Sequence, residues 1–176
     1  MRIDAGLDTG DMLLKAGTDI GDDENAIELG RRLSVMGAGL LVETLDGLAR
    51  GVIVPEKQNA AQATYAPLLK KEDGIVDWSR PAGAIHNLVR GVQPWPGAYT
   101  VFRGQALHLW RTGLVGRASS PAHGRVLSVR PLLVACGSGV IELREVQLEG
   151  RRRLPGADFA NGQRLAENEI LGGAQN

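Results

Sequence analysis

Five short apolar runs follow one another between Ala98 and Leu148, and glycine or proline residues separate them. Leucines at 107 and 109, like the apolar residues at 141 and 143, alternate with polar neighbours, which is the period of a strand with one buried face. The predicted strands are Ala98–Arg103, Gln105–Thr112, Gly124–Val129, Leu132–Cys136 and Val140–Leu148. Several strands this short favour a small closed barrel such as the OB-fold. We therefore expect residues 77–176 to form an OB-like β-barrel domain.

The first 51 residues have a different pattern. Short apolar stretches at Met1–Ile3 and Met12–Ala16 predict two strands, and an apolar stripe at three- and four-residue spacing predicts a helix from Asp22 or Asp23 to about Arg50. Gly51 is then the expected C-terminal cap. Two strands and one helix cannot cover both faces of an α/β sheet. Either residues 1–51 pack on the rest of the chain, or they belong to a larger domain. We expect the second: an α/β fragment of a larger domain at residues 1–51, followed by a linker at 52–76.

Acidic residues are absent from Trp78 to Ile141, whereas seven arginines fall in that interval. A surface that binds a polyanion explains this, because carboxylates repel phosphate and arginines bind it. The alternative is an uneven solvated surface without a function. The cluster Arg151–Arg153 is likewise either a solvated turn or a phosphate contact. The tryptophans Trp78, Trp95 and Trp110 either stack on bases or pack in the core.

Composition excludes several classes of protein. Hydrophobic residues make up 43% of the chain and charged residues 23%, as in an ordinary globular protein. No apolar run approaches the roughly 20 residues of a membrane span. Cys136 is the only cysteine, and the three histidines have no metal-ligand spacing, so we expect neither disulfides nor a metal site. These features favour a cytoplasmic protein.

An acidic, glycine-containing loop follows the first predicted strand. Asp8 and Asp11 lie three residues apart, with Gly6 and Gly10 beside them. A carboxylate between two glycines can approach a ligand closely and then relay a proton or position water. The alternative is an ordinary turn rich in aspartate and glycine.

Several runs in the chain resemble methionyl-tRNA formyltransferase in sequence and in order. They are Met1–Leu13, which contains Leu7-Asp8-Thr9-Gly10; Thr64–Pro67; Lys70–Gly74; Asp77–Ser79; Ile85–Gly91; and Gln93–Tyr99, with the sequence Gln-Pro-Trp-Pro-Gly-Ala-Tyr. The resemblance covers residues 1 to about 110. The remaining predicted barrel is compatible with it.

The resemblance implies that a formyl group is transferred from 10-formyltetrahydrofolate to the amino group of initiator methionyl-tRNA. The catalytic aspartate would be Asp8, with Gly6, Thr9 and Gly10 beside the cofactor. Residues 1–51 would be the C-terminal part of a Rossmann-like catalytic domain, and the barrel would bind tRNA. The local charge then predicts that the acid-free interval is the tRNA-facing surface, with Lys70 and Lys71 extending it; the expected contacts are Lys70, Lys71, Arg90, Arg103, Arg111 and Arg125. The complete enzyme is expected to be a cytoplasmic monomer.

The sequence departs from the family pattern in one respect. The family's Asn-x-His and Ser-Leu-Leu-Pro motifs do not occur in it, and we expect them, with most of the folate-binding region, upstream of Met1. The chain alone is therefore expected to be inactive. The alternative is a stand-alone RNA-binding β-barrel with an orphaned sheet fragment and no catalysis.

Overall fold

The computed structural model describes residues 1–116 and 122–172. Three helices, six strands and two short 3₁₀ turns are formed in these ranges. The helices are α1 (Ala26–Ala49), α2 (Ala82–Gly91) and α3 (Gly156–Gly162). The strands are β1 (Ala98–Phe102), β2 (Gln105–Val115), β3 (Val126–Val129), β4 (Leu132–Ala135), β5 (Val140–Leu148) and β6 (Leu154–Pro155). The 3₁₀ turns are Ala60–Gln62 and Lys71–Gly74.

These elements belong to two compact units. One unit comprises Met1–Asp22 and Ile27–Leu68, and the other comprises Asp23–Ala26 and the described residues from Leu69 onward. We call them the helical unit and the sheet unit. All the strands and the two shorter helices lie in the sheet unit.

The sheet is antiparallel, with the strand order β1-β2-β5-β4-β3 and with β6 paired to β5. The five longer strands confirm the predicted ones. The pairs β1/β2, β3/β4 and β4/β5 are hairpins of strands that follow one another in the chain, whereas β2 pairs with β5, which is not its neighbour in the chain. Between β1 and β2, Arg103 and Gly104 have φ values of 48° and 79°. Two consecutive left-handed residues are typical of a two-residue hairpin turn, whose twist matches that of the strands.

The hydrophobic core lies between the inner face of the sheet and helices α2 and α3. Alternate strand residues such as Leu107 and Leu109 are fully buried, as the strand period predicts. Ile85 of α2 and Phe159 of α3 join the same cluster. The Phe159 ring meets the edge of Phe102 on β1 with 5.3 Å between ring centroids. This packing attaches both helices to one face of the sheet.

The expected closed barrel is not formed by strand pairing. Strands β1 and β3 are both edge strands in the described part of the sheet. Segment 168–172 bonds to each of them instead: Val126 donates to Glu169 and accepts from Asn168, both at 2.8 Å, and Gly172 donates to Val101 at 2.8 Å. An irregular segment thus satisfies backbone groups that edge strands would leave open.

The two strands predicted before α1 were also wrong. In the helical unit, Met12 forms a single antiparallel bridge with Glu56, with N–H···O distances of 2.8 and 2.9 Å. Arg2 donates to the carbonyl oxygen of Asp11 at 2.9 Å. The apolar stretches have no longer partner strand within the described residues. A ladder needs continuous backbone partners, so these stretches remain extended loops.

Helix α1 is close to its predicted span. Gly51 has a φ of 68°, and its N–H and that of Val52 bond back to carbonyl groups of the last turn at 3.1 and 3.0 Å, so the predicted cap is confirmed. The predicted apolar stripe is largely exposed: Leu41 is 59% and Leu45 56% accessible. None of the helices in the described ranges has the length and apolarity that crossing a bilayer requires.

Candidate functional site

Side-chain hydrogen bonds define the conformation of the loop that carries Asp8. The Asp4 carboxylate accepts from the Gly6 N–H at 2.9 Å and from the Thr9 hydroxyl at 2.6 Å. Such short-range contacts stabilise tight loops. Asp8 has a φ of 53°, in the left-handed region that aspartate adopts more readily than most residues. The loop leaves Asp8 exposed to solvent.

Other atoms of the loop approach both glycines beside Asp8 closely, and at Gly10 the approaching atoms belong to the backbone. A Cβ atom on buried Gly10 would overlap the carbonyl oxygen of Arg2, and one on Gly6 would overlap the Thr9 hydroxyl. Any side chain at Gly10 would therefore displace the backbone of the loop. Close contacts within the loop therefore explain why glycine is found at both predicted cofactor-binding positions, Gly6 and Gly10.

Gln58 is a site residue that the sequence analysis missed. Its Nε2 donates to the carbonyl oxygens of Asp8 and Gly10, both at 2.8 Å. One amide group thus holds the backbone on either side of Thr9. The sequence carried no signal for this contact, because Gln58 lies in a polar stretch that is 50 residues from Asp8 along the chain.

Asp8 and Gln58 both line an open cavity of about 620 Å³ in the helical unit. Thr9, Met12 and Tyr65 contribute further lining. The volume is typical of a small-molecule pocket, and the lining combines a carboxylate, a hydroxyl, an amide and a phenol. An exposed carboxylate at the edge of such a cavity can accept a proton or orient a nucleophile. In the described ranges, no group of three or more His, Cys, Asp or Glu side chains is arranged to hold a metal ion.

The six predicted tRNA contacts differ in how accessible their charges are. Lys70, Lys71 and Arg111 are exposed. Arg90 is half-buried and donates to the carbonyl oxygen of Glu24 at 3.0 Å. Arg125 is also half-buried, and its Nε is enclosed without a hydrogen-bond partner.

Arg103 is bound to a carboxylate. Its guanidinium donates to both carboxylate oxygens of Glu169, with Nη2 2.9 Å from Oε1 and Nε 3.2 Å from Oε2. Its Nη1 donates to the carbonyl oxygen of Gln163 at 3.0 Å. The acid-free interval of the sequence is therefore not an acid-free surface, because folding brings Glu169, from outside the interval, next to Arg103.

The three tryptophans lie in three different environments. Trp78 is in the core, and its indole N–H donates to the hydroxyl of Thr100 at 2.9 Å. Trp95 is 59% accessible. Trp110 lies half-buried on the outer face of β2. Core packing therefore explains Trp78 only.

Asp77 and His86 have structural roles. Asp77 accepts from the hydroxyl and the backbone N–H of Ser79 at 2.6 and 2.9 Å, and these bonds hold the pKa of Asp77 below its usual value. His86 is buried, and its Nδ1 lies 2.9 Å from the hydroxyl of Thr112. Asp77 thus orders the segment before α2, and His86 joins α2 to β2.

The family description "Formyl transferase, C-terminal domain" matches residues 68–164. The chain therefore belongs to the formyltransferases and contains their C-terminal domain. It is 69% identical over 172 residues to a methionyl-tRNA formyltransferase from Solibacter usitatus, covering 98% of this chain and 55% of that protein. It is 51% identical over 176 residues to the methionyl-tRNA formyltransferase of Geobacter sulfurreducens, covering 99% of this chain and 55% of that protein. The chain thus spans about half the length of these curated relatives and matches their C-terminal portion.

Solved structures are similar in fold. A variant of HypX from Aquifex aeolicus matches with a TM-score of 0.67 at 16% identity, covering 94% of this chain and 31% of that chain. An N-formyltransferase from Helicobacter canadensis, solved with folinic acid and dTDP-3-aminofucose, matches with a TM-score of 0.61 at 16% identity, covering 80% of this chain and 52% of that chain. At these identities the likeness shows the fold alone.

Proposed function

We propose that the chain is the C-terminal part of an enzyme that transfers a formyl group from 10-formyltetrahydrofolate to the amino group of initiator methionyl-tRNA. The observation that carries the proposal is the 69% identity over nearly the whole chain to a relative of that name. Family membership favours this function over a stand-alone RNA-binding module. Charged methionyl-tRNA is used in translation, so the proposed location is the cytoplasm.

The proposal assigns a role to each part of the chain. Residues 1–51 are the end of a Rossmann-like catalytic domain, residues 52–76 are a linker, and residues 77–176 are an OB-like tRNA-binding domain. The exposed apolar face of α1 supports the first assignment, because a helix of that kind normally packs against a sheet. The antiparallel sheet of short strands supports the assignment of residues 77–176 as an OB-like domain. The complete enzyme is proposed to be a monomer.

Asp8 is the proposed catalytic carboxylate. It lines the cavity with Thr9, and its loop is held by Gln58 and by the close packing of Gly10. The folate supplies the formyl group, and Asp8 takes part in the proton transfers at the attacking amine. Gly6, Thr9 and Gly10 shape the loop beside the folate. The family's asparagine and histidine motifs are absent from this sequence, so we propose that the 176-residue chain does not catalyse the transfer by itself.

The proposed tRNA contacts are Lys70, Lys71, Arg90, Arg103, Arg111 and Arg125. Arginine and lysine side chains on such a surface contact phosphate, which positions the RNA without reading its bases. Lys70, Lys71 and Arg111 are more exposed to solvent than Arg90 and Arg125, which are half-buried.

A chimeric enzyme tests the proposal directly. The N-terminal part of the Solibacter usitatus relative would be joined to this chain, and formyl transfer to methionyl-tRNA would be measured with 10-formyltetrahydrofolate. We expect turnover by the chimera and none by the chain alone. An inactive chimera, beside an active parent relative, would contradict the assigned function.

Two aspartates in one loop provide a matched comparison. In the chimera, Asp8→Asn should lower kcat by at least about a hundredfold, as loss of a general acid or base does. Asp11→Asn, which removes the same charge three residues away, should retain most of the activity. Near-normal turnover by the Asp8→Asn chimera would show that Asp8 is not the catalytic carboxylate.

A further inference from the structure

The turn between β5 and β6 carries three consecutive arginines, Arg151–Arg153, which are all exposed. The Arg153 guanidinium carbon lies 3.3 Å from the centroid of the Trp110 ring. At this distance the planar guanidinium stacks on the indole face. The sequence left this cluster open between a solvated turn and a phosphate contact.

Hydrogen bonds hold the turn and the indole in fixed positions. The Trp110 Nε1–H donates to the Gln147 side-chain oxygen at 2.9 Å, and the Gln147 amide donates to the backbone oxygen of Arg151 at 2.8 Å. The Arg151 N–H in turn donates to Leu148 at 2.9 Å. A chain of contacts therefore links the stacking platform to the backbone of the basic turn. Groups ordered in advance lose less conformational entropy when they bind a ligand.

The charges of this turn are available, unlike those of Arg103 and Arg144. Each of those arginines has a carboxylate partner, Glu169 and Glu142 respectively. Within the described residues, no carboxylate forms an ion pair with Arg151–Arg153. The acidic residue in the turn is Glu149, so residues 149–153 have a net charge of +2.

Two neighbouring surfaces extend the turn. Arg151 and Arg152 line an open cavity of about 910 Å³, in which Gln105 and Gln163 add polar groups. On the outer face of the sheet, a row of rings leads away from Trp110: His108 lies 6.4 Å from it and Tyr99 lies 5.8 Å from His108, centroid to centroid. Cations beside a row of exposed or half-buried aromatic rings suit a ligand that carries both phosphates and bases.

We propose that the Arg151–Arg153 turn and Trp110 form an RNA-binding element of the sheet unit. Arg151 and Arg152 bind backbone phosphates, and Arg153, held flat on Trp110, offers its outer face to an unpaired base. This element lies outside the acid-free interval that the sequence indicated. The inference rests on the proposed function, in which the chain binds tRNA.

The test measures binding of an unmodified initiator tRNA transcript to the 176-residue chain as a function of salt. Each phosphate contact contributes about 0.9 to the salt slope, so the Arg151→Gln/Arg152→Gln variant should lower the slope by about 2. The same relation limits the loss of tRNA affinity in this variant to about 60-fold at 0.1 M salt, and we expect the affinity to fall by at least about tenfold. The matched control is Arg31→Gln/Arg164→Gln, which removes two exposed arginines outside the acid-free interval and should change affinity by less than about twofold.

Conservative variants separate charge from stacking. Arg151→Lys/Arg152→Lys should restore the salt slope, because lysine retains the charge. Arg153→Lys should preserve the slope but abolish the change in Trp110 fluorescence that RNA causes, since an ammonium group has no planar face. A Trp110→Phe variant shows which part of the fluorescence change comes from Trp110 rather than from the other two tryptophans. Thermal unfolding of every variant verifies that the sheet is retained.

The outcomes distinguish this inference from the proposed function. If the wild-type chain binds no tRNA even at low salt, the inference and the tRNA-binding role proposed for residues 77–176 are overturned, whereas the proposed formyl transfer is decided by the chimera. If it binds tRNA and the Arg151→Gln/Arg152→Gln variant behaves like the control, only the inference is overturned. If polyglutamate binds as tightly as tRNA and through the same arginines, the element recognises acidic proteins and the RNA assignment is wrong.

Discussion

Replacing Gln58 by methionine should loosen the Asp8 loop without unfolding the protein. Methionine keeps the length of the side chain but cannot donate the two 2.8 Å hydrogen bonds to Asp8 and Gly10. A neutral hydrogen bond stabilises a structure by about 1 kcal/mol, and less where water can replace it. Because Gln58 is exposed, we expect the two bonds together to contribute about 1–2 kcal/mol to loop closure.

Hydrogen exchange measures this local opening. A loss of about 1–2 kcal/mol should speed exchange about 5- to 30-fold at amides that the closed loop protects. The reporters are the N–H groups of Arg2 and Met12, which donate to Asp11 and Glu56 at 2.9 and 2.8 Å. Amides in the core of the sheet unit should exchange at their wild-type rates.

The control is Gln62→Met, which removes an amide from another exposed glutamine of the same cavity wall. It should leave both reporter amides unchanged. If Gln58→Met changes their exchange less than twofold, or if Gln62→Met has the same effect, then Gln58 does not hold the loop.

Two predictions concern the core of the sheet unit. Burial raises the pKa of the Cys136 thiol from 9.0 to about 11, so iodoacetamide should label the native protein slowly at pH 8. The free energy of unfolding should fall as pH rises from about 9 to 11, because the thiol ionises first in the unfolded chain. Rapid labelling of the native protein would contradict this. Trp78→Phe leaves the buried Thr100 hydroxyl without its donor and should lower the free energy of unfolding by about 2–4 kcal/mol in urea titrations. Adding Thr100→Val should cost less than the sum of the single changes, because the unpaired hydroxyl is then absent; strict additivity would argue against the bond.

Much of the candidate site was accessible from the sequence because its chemistry is local. The resemblance around Leu7-Asp8-Thr9-Gly10 singled out Asp8, and Gly10 in that run is needed where the loop packs closely on the backbone of Arg2. Gln58 was not accessible, because its role depends on where a distant segment crosses the loop. The same holds for Arg151–Arg153, because the stacking of Arg153 on Trp110 is a contact between distant parts of the sequence.

The strands and the hairpin turns between them are indicated by local sequence. Apolar runs and alternation identify the longer strands, and short turns such as Arg103-Gly104 join β1 to β2, so these neighbours pair. The pairing of β2 with β5 joins strands that are not neighbours in the chain, and no local pattern indicates it. Tertiary structure alone decided how the sheet edges are covered and which charges remain available. Segment 168–172 bonds to both edges, and Glu169 neutralises Arg103 from 66 residues away. Contacts of such separation depend on the path of the whole chain, which no local pattern records, whereas alternation and turn chemistry act between adjacent residues.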